Sequence, residues 1–326
     1  MKKRLFFALF ALSCFVSVLE GQDGGIVRQT FLYAVKGTDS LFLDKYDDPS
    51  VAGMKPCVIF MFGGGFRTGC RNAEGYVLFY RFLAREGYCV VTPDYRLGMT
   101  EVVKMRGLSV GEFERAFVRA QDLATADLFD ATRYVLDRAE AWGIDRDGIV
   151  SCGSSAGAIA ALNGEHQLCN RTPLSASLPD NFDYAGIISF AGAILCEGKE
   201  LEWARNPCPI QLFHGDADNA VPFDRTAFEE VGYFGSKYLA AQFRKMRTPY
   251  CFYAAGNVDH DMAGIPMYDL RNAILDFMAR FVKGKRPLML ETGETCADRP
   301  EAKRNFTMRG YVAVCFGPVL EPEAEH

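Results

Sequence analysis

Apolar runs rich in β-branched and aromatic residues alternate along the chain with longer stretches in which apolar positions recur every three or four residues. Ile26–Lys36 and Leu41–Tyr46 predict an antiparallel opening hairpin. Cys57–Phe62, Tyr88–Pro93, Ile149–Gly153, Gly186–Phe190, Ile210–His214 and Tyr250–Ala254 are short and bounded by Gly, Pro or charge, which predicts six buried strands and eight in all. Between the fourth and fifth, Phe113, Phe117, Ala120, Ala124, Leu128, Ala131 and Val135 draw one apolar stripe down a helix of about seven turns. Leu270, Ile274, Phe277 and Phe281 repeat the pattern until Gly284 and Pro287 stop it. Strands alternating with helices predict an α/β fold, a mostly parallel eight-stranded sheet flanked by helices on both faces.

No internal repeat appears, and no Ser/Gly/Pro-rich linker splits the chain. One catalytic-size domain over 22–284 is expected, with 285–326 as an extension packed on it or trailing from it. Within that extension Tyr311–Phe316 predicts a further strand, and Glu321, Glu323 and Glu325 a solvated end. Gly98–Gly111 and Glu165–Asp183 lack a period and read as rim loops, either of which would roof a pocket.

With 36 Lys+Arg against 41 Asp+Glu the formal charge is −5, and no basic run outside the extreme N-terminus offers a groove for phosphates. Nucleic acid is therefore not an expected partner. Lys2, Lys3 and Arg4 precede an uncharged run, Leu5–Leu19, and then the polar segment from Glu20 to Gly25, the layout of a signal peptide cleaved near Gly21. That run falls short of the roughly 20 apolar residues a bilayer span needs, so export to the periplasm or medium is expected, with no membrane span in the mature chain. Ala11-Leu12-Ser13 before Cys14 is a poor lipidation signal.

Of the 11 cysteines, Cys57, Cys89, Cys152 and Cys251 lie in strand-like runs and read as small buried hydrophobes. Cys70, Cys169, Cys196, Cys208, Cys296 and Cys315 are the candidates for disulfides in an oxidising compartment. With 4 His in total, and no CxxC or HExxH spacing, no metal site is expected.

Gly153-Ser154-Ser155-Ala156-Gly157 matches G-x-S-x-G, with Ile149–Cys152 before it as a strand and Ala158–Leu162 after it as a helix. A nucleophile elbow requires that setting, and its glycines allow a sharp turn and close packing of helix on strand. A nucleophilic Ser needs a base, and the base needs a carboxylate to fix its tautomer. Two loops that follow strands supply candidates: His214 to Pro222, with Asp216 and Asp218, and Asn257 to Asp261, with His260. His260 is the candidate base. His214 stands at a strand end, where it structures its own loop; His166 falls in a helical pattern and His326 at the terminus. Asp216 lies close to the strand end and suits local turn bonds, whereas Asp218 reaches farther over the rim. Asp259 and Asp261, adjacent to His260, cannot easily turn back onto its Nδ1. Upstream, Gly63-Gly64-Gly65 ends the third strand, and the N–H groups of Gly64 and Gly65 with that of Ala156 are candidate oxyanion donors.

These pieces, together with Leu41–Tyr46, Asp94-Tyr95-Arg96-Leu97 and the order Ser, acid, His, resemble the α/β-hydrolase superfamily over about residues 26 to 283. The resemblance is to its carboxylesterase, feruloyl-esterase-like and hormone-sensitive-lipase-like group. It implies Ser155 as nucleophile, Asp218 as acid, His260 as base, Gly64, Gly65 and Ala156 as oxyanion donors, and no cofactor. One departure stands out: Phe62 occupies the place where the group's loop usually starts with a His that ties it by hydrogen bonding. Packing is then expected to hold the loop.

The implied activity is hydrolysis of carboxylic esters, small or carbohydrate-linked. Phe62, Phe66 and Tyr95 are candidates to line an apolar or aromatic acyl site, core packing being the other reading of the same residues. A prolyl-oligopeptidase-like peptidase would use the same catalytic set but carries a large extra domain or amine-binding residues. A non-catalytic binding protein on a hydrolase fold would have no need of Ser155, Asp218 and His260 together.

Overall fold

The computed structural model describes residues 25–198, 200–229, 231–295, 297–298, 300–302, 304 and 306–322. The expected signal segment with Gly21 and Cys14, the candidate Cys296, and Glu323, Glu325 and His326 lie outside the described residues.

The main sheet contains β1 (Val27–Lys36), β2 (Asp39–Asp47), β3 (Lys55–Met61), β4 (Cys89–Pro93), β5 (Ile144–Ser154) and β6 (Gly186–Phe190). The chain then forms β7 (Ala193–Glu197), β8 (Ile210–Gly215), β9 (Arg225–Phe228), β10 (Val231–Gly235), β11 (Tyr250–Gly256) and β12 (Met289–Thr295). Nine of these strands pair in the order β1-β2-β4-β3-β5-β6-β8-β11-β12. β1 and β2 run antiparallel to their neighbours and every pair from β4 to β12 is parallel. The expected eight strands are all present. The ninth, β12, comes from the segment after Gly284 and pairs in parallel with β11, from Tyr250 opposite Met289 to Gly256 opposite Thr295. A small antiparallel sheet, β7-β10-β9, is a further element that the sequence pattern did not reveal.

The helices are α1 (Glu74–Arg85), α2 (Val110–Leu136), α3 (Ala139–Trp142), α4 (Ala156–Cys169), α5 (Ser236–Met246), α6 (Arg271–Phe277) and α7 (Met308–Phe316). α2 is the long amphipathic helix; Ser109 caps it, accepting from Glu112 N, while the Glu112 carboxylate accepts from Ser109 N. It packs on α4, which is buried along most of its length and lies against β5 and β6. α6 continues as a π-helical turn, Met278–Lys283, before Gly284.

Two local expectations are corrected. Tyr311–Phe316 is helical rather than extended: Thr307 caps α7, and Met308, Tyr311, Val312 and Phe316 bury one helical face. Tertiary burial overrides the strand preference of Tyr, Val and Phe. Glu165–Cys169 is the last turn of α4, not a loop, and Pro173–Ser177 forms a 3₁₀ turn. That region lies at the end of α4 opposite Ser155 and does not line the cavity beside it. Gly98–Gly111 does not line that cavity either; its Leu108 pairs with the tail, donating to Val319 O and accepting from Glu321 N.

Candidate active site

Ser155, Asp218 and His260 follow β5, β8 and β11, so parallel strands deliver all three to one rim of the sheet, the edge where open α/β sheets bind ligands. Ser155 joins β5 to α4 with φ 52° and ψ −119°, a conformation that costs an L-residue about 1–3 kcal/mol and turns the side chain out of the strand. The backbone makes that turn because Gly157 allows it: a Cβ there would stand 2.1 Å from Met61 O of β3. Ser155 N donates to Phe190 O at 2.8 Å, which anchors the elbow on β6.

His260 Nε2 lies 2.8 Å from Ser155 Oγ, and its Nδ1 lies 2.7 Å from Asp218 Oδ2. Asp218 is buried. Its Oδ1 accepts from Ala220 N and Val221 N, both at 2.8 Å, which leaves Oδ2 for the imidazole. Burial opposes the Asp218 charge, but hydrogen bonds from His214 and His260 outweigh it and hold the carboxyl well below the usual carboxylate range. For His260, burial disfavours the imidazolium, yet the Asp218 hydrogen bond and the charges of Asp218, Asp259 and Asp261 raise its pKa above the ordinary 6.5.

The neighbouring groups have structural partners. His214 is buried, with Nδ1 2.8 Å from Ser236 Oγ and Nε2 3.1 Å from Val221 O and 3.3 Å from Asp218 Oδ2. Asp216 Oδ1 accepts from Asn257 N at 2.8 Å and its Oδ2 from Arg304 Nε at 3.0 Å, tying the β8 loop to the β11 loop. Asp259 Oδ1 accepts from Asn219 N and from His260 N, each at 2.8 Å. Ser154 Oγ donates to Ala263 O at 2.8 Å. His166 Nε2 stands 2.8 Å from Glu202 O, away from this rim.

The glycine loop approaches from β3. Gly64 has φ 128° and a Cβ there would stand 2.0 Å from Thr68 O, so only glycine fits; Gly64 O accepts from Arg67 N and Thr68 N, both at 3.1 Å. Packing alone does not hold this loop. Tyr76 Oη, on α1, accepts from Gly63 N at 3.1 Å, and Tyr95 Oη donates to Phe62 O at 2.8 Å. Both bonds fall on one peptide unit, the C=O of Phe62 and the N–H of Gly63. Tyr76 and its role were missed at the sequence level, because a tyrosine in a helix near a glycine loop carries no pattern of its own.

Gly64, Gly65, Ser155, Ala156 and His260 line a cavity of about 390 Å³, whose remaining wall includes Tyr76, Phe117, Ile159 and, from α7, Tyr311, Val314, Cys315 and Phe316. Phe62, Phe66 and Tyr95 do not line it, and their places fit core packing, the other reading of the same residues. They are 2%, 0% and 3% exposed: Phe62 stacks on Tyr95 at 4.2 Å and Phe66 packs edge-on against Phe117 at 5.4 Å. Their work is to floor the glycine loop. The wall comes instead from the segment after Gly284, whose α7 brings Phe316 over Gly65.

All described cysteines are free thiols: Cys57, Cys89, Cys152 and Cys169 are buried, Cys70 is exposed and Cys196, Cys208, Cys251 and Cys315 are half-buried. Among the described residues no group of three or more His, Cys, Asp or Glu is placed to hold a metal ion, and no helix is long and apolar enough to cross a membrane.

No protein-family model matches the chain, and no curated protein matches it by sequence. Among solved structures it is similar to Thermogutta terrifontis esterase 2 phosphoramylated by tabun, with 19% identity, a TM-score of 0.57, and coverage of 82% of this chain and 97% of that one. The apo form of that esterase gives 17% identity and a TM-score of 0.56, covering 82% of this chain and 97% of that one. A C6-C4 SN3 inhibited esterase B from Lactobacillus rhamnosis gives 16% identity and a TM-score of 0.56, covering 82% and 90%. The strand order, the parallel pairing and these likenesses together identify the fold of the chain as that of the α/β-hydrolases.

Proposed function

We propose that the protein is an exported serine hydrolase that cleaves carboxylic esters through an acyl-enzyme on Ser155. The observation that carries this reading is the chain of two hydrogen bonds from Ser155 Oγ through His260 to Asp218, at 2.8 and 2.7 Å. Such a chain matches what a hydroxyl nucleophile requires: a base in contact, and a buried carboxylate that fixes the base's tautomer. The described fold neighbours are esterases, one of them phosphoramylated by tabun, which supports the same reading.

In the proposed reaction Ser155 Oγ attacks the ester carbonyl while its proton passes to His260 Nε2. The N–H groups of Gly64, Gly65 and Ala156 take the oxyanion, for about 3 kcal/mol of transition-state stabilisation per donor. His260 then protonates the departing alcohol as the C–O bond breaks. Water, deprotonated by the same imidazole, attacks the acyl carbonyl, and Ser155 leaves with the proton as the acid is released. No cofactor enters any step. The substrate is a small-molecule ester or one carried on a carbohydrate, and the N-terminal segment is read as an export signal, to be checked by N-terminal sequencing of the secreted protein.

A fluorophosphonate probe tests the reading: it is expected to label the purified protein at Ser155, and Ser155→Ala to lose both labelling and hydrolysis of 4-nitrophenyl esters while still folding. Ser154→Ala is the control. Failure of the wild-type protein to label or to hydrolyse any ester in a chain-length series would overturn it.

A further inference from the structure

Arg67 is the only Asp, Glu, Lys or Arg among the described residues that line the cavity beside Ser155. Its backbone is committed to the glycine loop, with N donating to Gly64 O at 3.1 Å and O accepting from Thr100 Oγ1 at 3.2 Å. Its side chain is not committed in the same way. The half-buried guanidinium lies 5.5 Å from the centre of the Phe316 ring and has no carboxylate partner among the described residues. Arg71, four residues on, is paired with Asp44 and Asp94, and Arg96 with Asp127.

Its position relative to the reacting carbonyl follows from two contacts. The Phe316 ring rests on Gly65, where a Cβ would stand 3.2 Å from Cζ, and Arg67 lies over that same ring. The guanidinium and the oxyanion loop thus share the Phe316 ring as a neighbour. A guanidinium presents five N–H donors in a fork that matches a carboxylate, and a cation with no carboxylate beside it in the wall attracts anions more strongly as water is displaced. The cavity's other polar side chains, His260, the Cys315 thiol and the hydroxyls of Thr68, Tyr76, Ser154, Ser155 and Tyr311, include no carboxylate to compete for it.

Resting on the hydrolase reading above, we infer that Arg67 selects esters that carry a free carboxylate, pairing with it while the ester carbonyl sits at Ser155. The carboxylate belongs either to the acyl chain or to the alcohol, and the two are separable by experiment. 4-Nitrophenyl hydrogen adipate is compared with 4-nitrophenyl hexanoate, and 4-acetoxybenzoate with its methyl ester, each corrected for spontaneous hydrolysis. In at least one pair the wild-type enzyme is expected to favour the acid in kcat/KM, and Arg67→Gln to lower the acid-to-neutral ratio roughly ten- to hundredfold. Arg67→Lys is expected to restore part of the ratio, and rising ionic strength to shrink it. The inference is overturned if neither acid is favoured, or if the ratios survive Arg67→Gln. It is equally overturned if Arg67→Gln slows acid and neutral esters alike. In each of those cases hydrolysis of the neutral esters by the wild-type enzyme leaves the hydrolase reading standing, and only its loss removes both.

Discussion

Replacing Asp218 by Asn changes one heavy atom, and the hydrogen bonds of the loop dictate how the new amide must sit. Oδ1 accepts from Ala220 N and Val221 N at 2.8 Å each, so the amide oxygen of Asn must occupy that position and its NH2 must face His260 Nδ1. Nδ1 then becomes an acceptor, the imidazole proton moves to Nε2, and Nε2 points a donor at Ser155 Oγ 2.8 Å away instead of a lone pair. Flipping the amide to recover the working tautomer would set NH2 against two backbone N–H groups, losing two buried hydrogen bonds at about 1–3 kcal/mol each. The trapped tautomer thus costs about 2–6 kcal/mol. At about 1.4 kcal/mol per decade the upper part of that range corresponds to a fall in kcat of about 10³–10⁴, with loss of the imidazolium's counter-charge adding to it. Asp216→Asn is the internal comparison: its oxygen still accepts from Asn257 N, and only an exposed ion pair with Arg304 is lost, for less than about 1 kcal/mol. Turnover of 4-nitrophenyl butyrate and the melting temperature would be measured for both. A folded Asp218→Asn protein with near-wild-type kcat, or an inactive Asp216→Asn protein of normal stability, would refute the assignment of the acid.

Because Asp218, Asp259 and Asp261 outweigh burial and raise the His260 pKa, activity is expected to fall with acidification about a midpoint above the ordinary imidazole value of 6.5; His260→Gln should abolish both rate and pH step, and a midpoint below 6.5 would contradict the cause given. Tyr76→Phe leaves the buried Gly63 N–H without its acceptor and is expected to lower kcat roughly ten- to hundredfold with little change in KM, so unchanged kcat would show that the loop does not need this anchor. Glu165, fully buried on α4, accepts from Cys208 N at 2.8 Å and is pushed by burial from 4.5 up to about 7. The folded protein holds that proton where the unfolded chain releases it, so its contribution is present below pH 4.5 and lost as pH rises towards 7, by about 3 kcal/mol. Glu165→Gln should therefore melt higher than wild type at pH 8 and gain much less at pH 4, and an equal shift at both values would exclude burial of the charge as the cause.

What could be read from the chain alone divides along physical lines. β5, Ser155 and α4 were readable because the elbow admits few residue types: close approach of backbone to backbone demands glycine, and the buried parallel strand demands an unbroken apolar run. Asp218 and His260 were readable because each follows an apolar strand, so their meeting is a consequence of parallel pairing. β12 was not, since Met289–Thr295 is a mostly exposed edge strand with charged and polar positions and no apolar run to mark it. α7 was misread for the opposite reason. Its Tyr, Val and Phe suit a strand, and the helical spacing of Met308, Tyr311, Val312 and Phe316 decides only once a partner surface exists in Phe113 and Phe117. For Phe62, Phe66 and Tyr95 the sequence left two readings open, because composition alone cannot tell whether an aromatic beside a glycine loop faces a cavity or the core; all three are buried and stand outside the cavity beside Ser155.

The glycine loop that follows Phe62 is held in position by groups from outside the loop. An oxyanion site works only if its N–H groups are aimed before the charge develops, and their aim depends on the rotation of the peptide just upstream. Here the Phe62–Gly63 peptide is gripped at both ends by tyrosines from separate elements: Tyr76 of α1 takes its N–H, and Tyr95, beyond β4, donates to its C=O. Rotating that peptide would break both bonds together. The Phe62 ring, stacked on Tyr95, adds a dry floor that a polar imidazole would not, and Phe66 on Phe117 extends it. Phe117 in turn packs edge-on against Tyr311 and Phe316 of α7, so the anchored loop and the cavity wall built by the C-terminal segment belong to one aromatic cluster. The same residues that lie outside the cavity therefore connect its two sides, and truncating α7 is a change at the glycine loop as much as at the cavity wall.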